Sequence, residues 1–411
     1  MNKLRRIDKR LLTILLIVFV QMVGAAMILP ILPRYARTEF NMTPQVITLL
    51  NTAFFAAQFV AGPYLGRLSD KYGRVPVLIA SQIGTVISFL MIALAPGAII
   101  LFLARIVDGI TGGNIIVAQA YITDVTPRER RTESLGYVFA VFGLGFIIGP
   151  LLGGILEAAF GPRIPYIFAS LAALAVVILT WLTLDETLTA EQRAANRQYR
   201  RGGIGPLDVL RNGPLALILV VAFFGQFALG LLQATFALFG EDVLLAGRDP
   251  RTISIGISIL LAIVGVGQFI TQAFLLRPAL RRFDEARLVI IGLVSRTIGL
   301  FIFAALTTVF FGALGSLLFA IGMGLMMPPL QSLSTQTVAD ELRGGVLGVY
   351  QSTISLSIIF STAISGTLYA INPTGPYWVG AGLSLLVFLP AILLVRQQDT
   401  LLTASPAPKN Q

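Results

Sequence analysis

Apolar runs of about 20 residues recur along the whole chain, separated by short polar clusters. A helix of that length crosses a hydrocarbon core of roughly 30 Å. It also satisfies its own backbone hydrogen bonds, which lipid cannot do. The pattern predicts twelve spans, near residues 11–33, 45–66, 76–95, 98–121, 134–157, 164–184, 214–240, 252–276, 287–306, 308–330, 344–370 and 375–396. The first run follows Lys3, Arg5, Arg6, Lys9 and Arg10, as a secretory leader would. No small-residue cleavage site follows it and many more spans do, so it reads as a retained span 1.

The longest polar break is Asp185 to Gly213, which carries Arg193, Arg197, Arg200 and Arg201. It divides the chain into an N-terminal half (1–184), a linker (185–213) and a C-terminal half (214–411). A repeat supports that division. Gln119–Gly136 lies on Gln331–Gly348 without a gap, with identities that include the polar pairs Gln119/Gln331, Thr123/Thr335, Glu129/Glu341 and Arg131/Arg343. The fold expected is all-α: twelve transmembrane helices in two pseudo-symmetric six-helix bundles, an architecture that places a transport site between repeats at mid-depth.

Composition sharpens this picture. The chain is 56% hydrophobic and 12% charged, where soluble chains carry about 25% charged residues. It has neither Cys nor His. Disulfides, thiolate chemistry and Cys or His metal sites are excluded, no catalytic residue, cofactor or metal is expected, and any proton carrier must be Asp or Glu. The net charge of +10 raises the question of nucleic acid. Its distribution answers it: 23 of the 30 Lys and Arg fall in the polar segments on the side of the N-terminus. Only Arg34, Arg37, Arg163, Arg248 and Arg251 fall on the other side, and Arg105 and Arg296 fall within spans. The positive-inside rule accounts for that bias. It predicts a multi-pass protein of the inner membrane, with both termini cytoplasmic and the bilayer rather than nucleic acid as partner.

Two motifs carry more than hydropathy. Between spans 2 and 3 stands G-x-x-x-D-x-x-G-R, as Gly66, Asp70, Gly73 and Arg74. Gly66 suits a close helix approach, Gly73 a tight turn, and Asp70 sits among cations. An ordinary basic loop is the plainer reading. In span 5, Gly145, Gly149 and Gly153 recur every four residues and line one helix stripe, with Pro150 removing a backbone hydrogen bond. Generic small-residue packing is the plainer reading there.

Together these motifs resemble those of the major facilitator superfamily, over nearly the whole chain. The first resembles its loop 2–3 signature and the second the span 5 signature of its antiporters. Arg105–Gly109 resembles the span 4 signature, and Pro30-Ile31-Leu32-Pro33 the proline pair ending span 1 of drug antiporters. Gly322 to Gln331 resembles span 10 of tetracycline exporters. Those exporters carry acids in spans 1, 3 and 9, where this chain has Gln21, Ser88, and Ser295 with Arg296. The resemblance implies a secondary transporter, not an enzyme, working as a monomer. Its implied activity is proton-coupled efflux of small amphipathic compounds by alternating access. A facilitator or symporter of a small organic anion remains an alternative, as, further off, does a non-transporting receptor.

Ionisable groups at mid-depth are expensive and mark function by default. Asp108 is the one carboxylate placed deep in a span, with Arg105 three residues before it on the same face. Burial disfavours its charge and Arg105 favours it, so the pair is the proton-coupling candidate; the plainer reading is that the two neutralise each other. Arg296 has no deep carboxylate in its half. The resemblance puts spans 1, 4, 7 and 10 around the cavity, which singles out Gln21, Asn114, Gln226, Gln233 and Gln331 alongside Arg296. Asp70, Arg74 and Asp124 match an inner-face gating network of the family. The topology is directly testable: labels at residues 2 and 410 should both react from the cytoplasm, and a label at Gly247 from outside. Opposite accessibility at either terminus refutes the twelve-span reading.

Overall fold

The computed structural model describes residues 9–112, 114–126, 131–189, 191, 212–338 and 343–404. Among these residues twelve helices are long and apolar enough to cross a membrane. Spans 1 to 6 are Arg10–Phe40, Pro44–Tyr72, Arg74–Ala93, Ala98–Val125, Val141–Phe160 and Ile164–Thr183. Spans 7 to 12 are Gly213–Leu244, Pro250–Arg282, Glu285–Ala305, Val309–Gln336, Gly345–Ile371 and Gly375–Arg396. The near side is where span 1 begins, the far side where it ends.

The boundaries differ from expectation where local chemistry is overruled. Pro30 and Pro33 do not end span 1, which runs on to Phe40; prolines are tolerated in membrane helices because neighbours re-satisfy the freed carbonyls. The G-x-x-x-D-x-x-G-R motif is not a loop. Its first part is the last two turns of span 2, which ends at Tyr72, and Arg74 already begins span 3. Gly73 alone makes the joint, at φ +111°, with its N–H donating to the Ser69 carbonyl. That φ is in the left-handed region that glycine alone adopts at little cost. Span 4 is described in two helical stretches, Ala98–Thr111 and Asn114–Val125; residue 113 between them lies outside the described residues. Gly112, where helix propensity is poor, caps the first stretch, its N–H donating to the Asp108 carbonyl. Spans 7 and 8 each include a π-helical turn, Gly240–Leu244 and Thr271–Leu275.

Each span shows why it needs lipid. On span 4, Ile99, Leu103, Ile106 and Ile110 are exposed while Leu101, Ala104, Arg105 and Asp108 are buried. The outward stripe is apolar and the inward stripe carries the charges, the reverse of a soluble amphipathic helix.

The chain packs as two units that do not follow the sequence halves. One comprises Met1–Arg200, Gln233–Val266 and Thr362–Ala370. Spans 1 to 6 thus share it with the far-side parts of spans 7, 8 and 11. Within it, span 1 packs on spans 5 and 6, span 2 on span 4, and span 3 on spans 4 and 6. The other comprises Arg201–Leu232, Gly267–Ser361 and Ile371–Gln411. Within it, span 9 packs on spans 10 and 12.

The glycine stripe of span 5 has a specific counterpart. A Cβ on Gly145 would press on Met22, one on Gly149 on Ala26 and the Val23 carbonyl, and one on Gly153 on Ile31 and Met27. Span 5 therefore lies backbone-close along span 1. Gly66, expected to permit a similar approach, does not: a Cβ there meets nothing within 4 Å. Gly149→Val should accordingly destabilise the folded protein by about 1–3 kcal/mol. Gly66→Ala should be neutral or stabilising by up to about 1 kcal/mol, since it removes a poor helix former. Melting temperatures in detergent check both; equal effects would show that the span 1–span 5 contact is not what the stripe serves.

Candidate functional site

Span 4 holds a buried ion pair of the first unit. Arg105 Nη1 donates to Asp108 Oδ2 at 2.6 Å, with both side chains about nine-tenths buried. The guanidinium also lies over the Phe54 ring, 4.2 Å from its centroid, a placement that favours a cation. Just past this pair the first stretch of span 4 ends, and Gln58 of span 2 donates to the Gly112 carbonyl at 3.2 Å.

Arg105 and Asp108 form part of the wall of a cavity of about 160 Å³. Asn51, Gln233 and Thr362 supply its other polar groups, and Phe54, Phe55 and Phe146 with Met22 much of its apolar lining. An apolar chamber with a few converging polar groups is the form a small-molecule site takes. Its volume suits one ring-sized group, since whole drug-sized pockets run about 300–1,000 Å³.

On the near side, Arg74 gathers the motif charges. Its Nε donates to Asp124 at 2.9 Å and its Nη1 to Asp70 at 2.7 Å and Ser69 Oγ at 2.9 Å. Sequence reasoning missed the group that completes this cluster. Glu186, just past span 6, accepts from the backbone N–H of Arg74 at 3.0 Å and of Val75 at 3.2 Å. It neutralises the positive end of span 3 and fills the space that a side chain on Gly73 would need. Its place in an apparent linker hid it.

A second cluster, on the far side, was read only as stray loop cations. Arg34 pairs with Glu157 at 2.8 Å and with Glu241 at 3.4 Å, and donates to Ser254 Oγ at 2.9 Å. Arg37 makes a bidentate pair with Asp242, at 2.6 and 2.9 Å, and Tyr369 donates to the same carboxylate. Glu157 is as buried as Asp108, so Asp108 is not the one buried carboxylate. The signal available was the match of two arginines ending span 1 with acids ending spans 5 and 7.

The sequence profile of the Major Facilitator Superfamily matches residues 14–247 and 247–410. The chain belongs to that family. It is therefore a polytopic secondary transporter and not an enzyme. Among its relatives is the class C tetracycline resistance protein of Escherichia coli, 31% identical over 394 residues, covering 94% of this chain and 96% of the relative. Another is multidrug resistance protein 2 of Bacillus subtilis (strain 168), 28% identical over 389 residues, with 93% and 94% covered. The fold is shared with a nucleoside transporter (TM-score 0.78, 14% identity, 94% of this chain and 100% of that one). A D-xylose-proton symporter shares it as well (TM-score 0.76, 16% identity, 94% and 97%).

The other candidate residues of this transporter scatter. Gln233 lines the cavity beside Asp108. Gln21 instead faces a separate, water-sized void of about 10 Å³ with Gln82 and Thr85. Gln226 and Arg296 are buried in the second unit, and Gln331 is exposed. The side chain of Asn114 lies outside the described residues, as do residues 127–130 and 339–342 of the repeat. Asp70 holds Arg74 without facing the cavity, so its expected role is conformational. Asp70→Asn should cut transport about tenfold, the scale on which a charge-assisted hydrogen bond matters, while equilibrium substrate binding stays within about twofold. Normal transport by Asp70→Asn would reduce the motif to a topological anchor.

Proposed function

We propose that this transporter is a proton-coupled exporter of small amphipathic compounds, working by alternating access, with Asp108 as its proton carrier. The observation that carries the reading is the Arg105–Asp108 pair in the wall of an otherwise apolar cavity. A compound entering there meets aromatic faces and one ion pair, which suits substrates with a large apolar body and few polar groups. Its arrival beside the carboxylate alters the balance between desolvation, which disfavours the charge, and Arg105, which favours it. Exchange of a proton for substrate follows from that competition. The resistance to tetracycline and to several drugs in the relatives' names fits export of such compounds.

The remaining assignments belong to the same reading. The bias of Lys and Arg to the near side supports an inner-membrane location with both termini cytoplasmic. Residues 1–184 and 214–411 act as the two functional halves joined by 185–213, and the protein works as a monomer. Asp70, Arg74 and Asp124 latch the near side during the cycle. Gln233 contributes to substrate contact, and Gln21, Asn114 and Gln331 are secondary candidates.

Asp108→Asn keeps shape and hydrogen bonding but cannot ionise. In proteoliposomes it should abolish accumulation driven by a pH gradient and leave downhill exchange intact. Should it still drive uphill transport, the carrier is another buried carboxylate. Glu157→Gln, assayed in parallel, then identifies the far-side cluster as the proton site.

A further inference from the structure

Arg296 is the largest fully buried side chain among the described residues, 1% exposed. It sits mid-span in span 9, and among the described residues no carboxylate pairs with it. Asp284 and Glu285 lie at the beginning of the same span, roughly 16 Å away at 1.5 Å per residue. Its Nη2 donates to the Gly225 carbonyl and its plane lies over Phe319, 4.7 Å from the ring centroid. Nε and Nη1 have no partner. Guanidinium is always charged, and a buried charge without a counter-ion is the costliest group a fold can keep.

The surrounding groups share one deficit. Gln226, the next residue after the carbonyl that holds Arg296, is buried, and its amide donates only to the Met327 sulfur, at 3.4 Å. Its Oε1 has no partner. The Tyr350 hydroxyl, also buried, donates to the same sulfur at 3.7 Å. A thioether is a weak acceptor. Three strong donor groups from spans 7, 9 and 11 are thus left with a ring face, one carbonyl and one sulfur between them. Met327 and Arg296 flank the same glycine: a Cβ on Gly225 would lie 3.4 Å from Arg296 Nη1 and 3.4 Å from the Met327 methyl. Methionine is the most adaptable apolar side chain and can swing aside without breaking a strong bond.

We propose that Arg296, Gln226 and Tyr350 form a binding site for an anionic group, with Met327 as the movable plug that holds its place. The anion replaces two weak N–H and O–H contacts to sulfur with charge-assisted bonds, and the Arg fork suits a planar oxyanion. The free edge of the Gln226 amide takes a hydroxyl or N–H next to the anionic centre. The group is either a carboxylate or acidic enol of the transported compound or a free inorganic anion. The first source rests on the exporter reading above; the site itself does not.

The full-length protein in detergent tests this with fluorescein as the anionic probe, ethidium as a cationic probe of similar size, and nitrate, a planar inorganic oxyanion, against chloride. Fluorescein should bind wild type and lose about tenfold in affinity in Arg296→Met, a fold-change worth about 1.4 kcal/mol. Ethidium binding should not change. Arg296→Met should also melt higher than wild type, because an unpaired buried charge is gone. If fluorescein binds both proteins alike but nitrate in place of chloride raises the melting temperature of wild type alone, the site holds an inorganic anion. If neither anion distinguishes the two proteins, the proposal is overturned. Should Arg296→Met yield no folded protein, Gln226→Leu and Tyr350→Phe carry the same test. Each should weaken the anion about threefold and ethidium not at all, the scale of one hydrogen bond; unchanged anion binding in both overturns the site. Anion binding without flux in proteoliposomes would refute the exporter reading and leave the site standing.

Discussion

Hydrocarbon offers a charge neither solvation nor a hydrogen bond, and a chain that crosses it twelve times must supply both from within. Burial of an ionised group costs several kcal/mol even after relaxation, so the spans can keep only those charges that protein groups surround. Arg105 with Asp108, and Arg34 with Glu157, are each within 2.8 Å of a partner and almost fully enclosed. Glu186 meets two backbone N–H groups at the start of span 3. The same requirement makes Arg296 conspicuous, since burial there is opposed only by a ring face and a carbonyl.

Satisfying charges by protein requires helices to come close, and small residues set how close. The span 5 glycines let its backbone lie on span 1 at Met22 to Ile31. Farther along, Gly154 meets Ser258 and Ser254 of span 8. Ser254 is also a partner of Arg34 and Glu157. One stretch of helix thus fixes the packing of span 1, the position of Glu157 and the wall of the cavity through Phe146. The motif that resembles an antiporter signature is, physically, the surface against which the far-side charges are assembled.

The Arg74 cluster and the far-side cluster differ in kind. Arg74 is held by side chains from spans 2 and 4 and the segment after span 6, all close to span ends. The far-side cluster joins the ends of spans 1, 5, 7, 8 and 11. It draws together residues on both sides of the linker, which is why the first compact unit takes in Gln233–Val266 and Thr362–Ala370. A boundary drawn at the polar linker follows covalent connectivity; contact follows charge pairing and packing.

The sequence by itself determined the twelve spans, because a 30 Å core demands about 20 apolar residues and nothing else in the chain meets that demand. It determined the chemistry available, since a chain without His or Cys leaves carboxylates as the only proton carriers near neutral pH. It also marked Asp108 and Arg105, because a charge inside an apolar run stands out whatever surrounds it. Only the tertiary structure decided which polar residues meet. Gln21 and Gln233 are alike as isolated amides in apolar runs, yet one faces a void the size of a water and the other the Asp108 cavity. Helix periodicity fixes a residue's face relative to its own helix but not the rotation of that helix against its neighbours, and partners distant in sequence leave no periodic trace. For that reason the contact of Glu186 with the start of span 3 could not be read from the sequence, and the charges of the Arg34 cluster could be matched by their place at span ends but not paired.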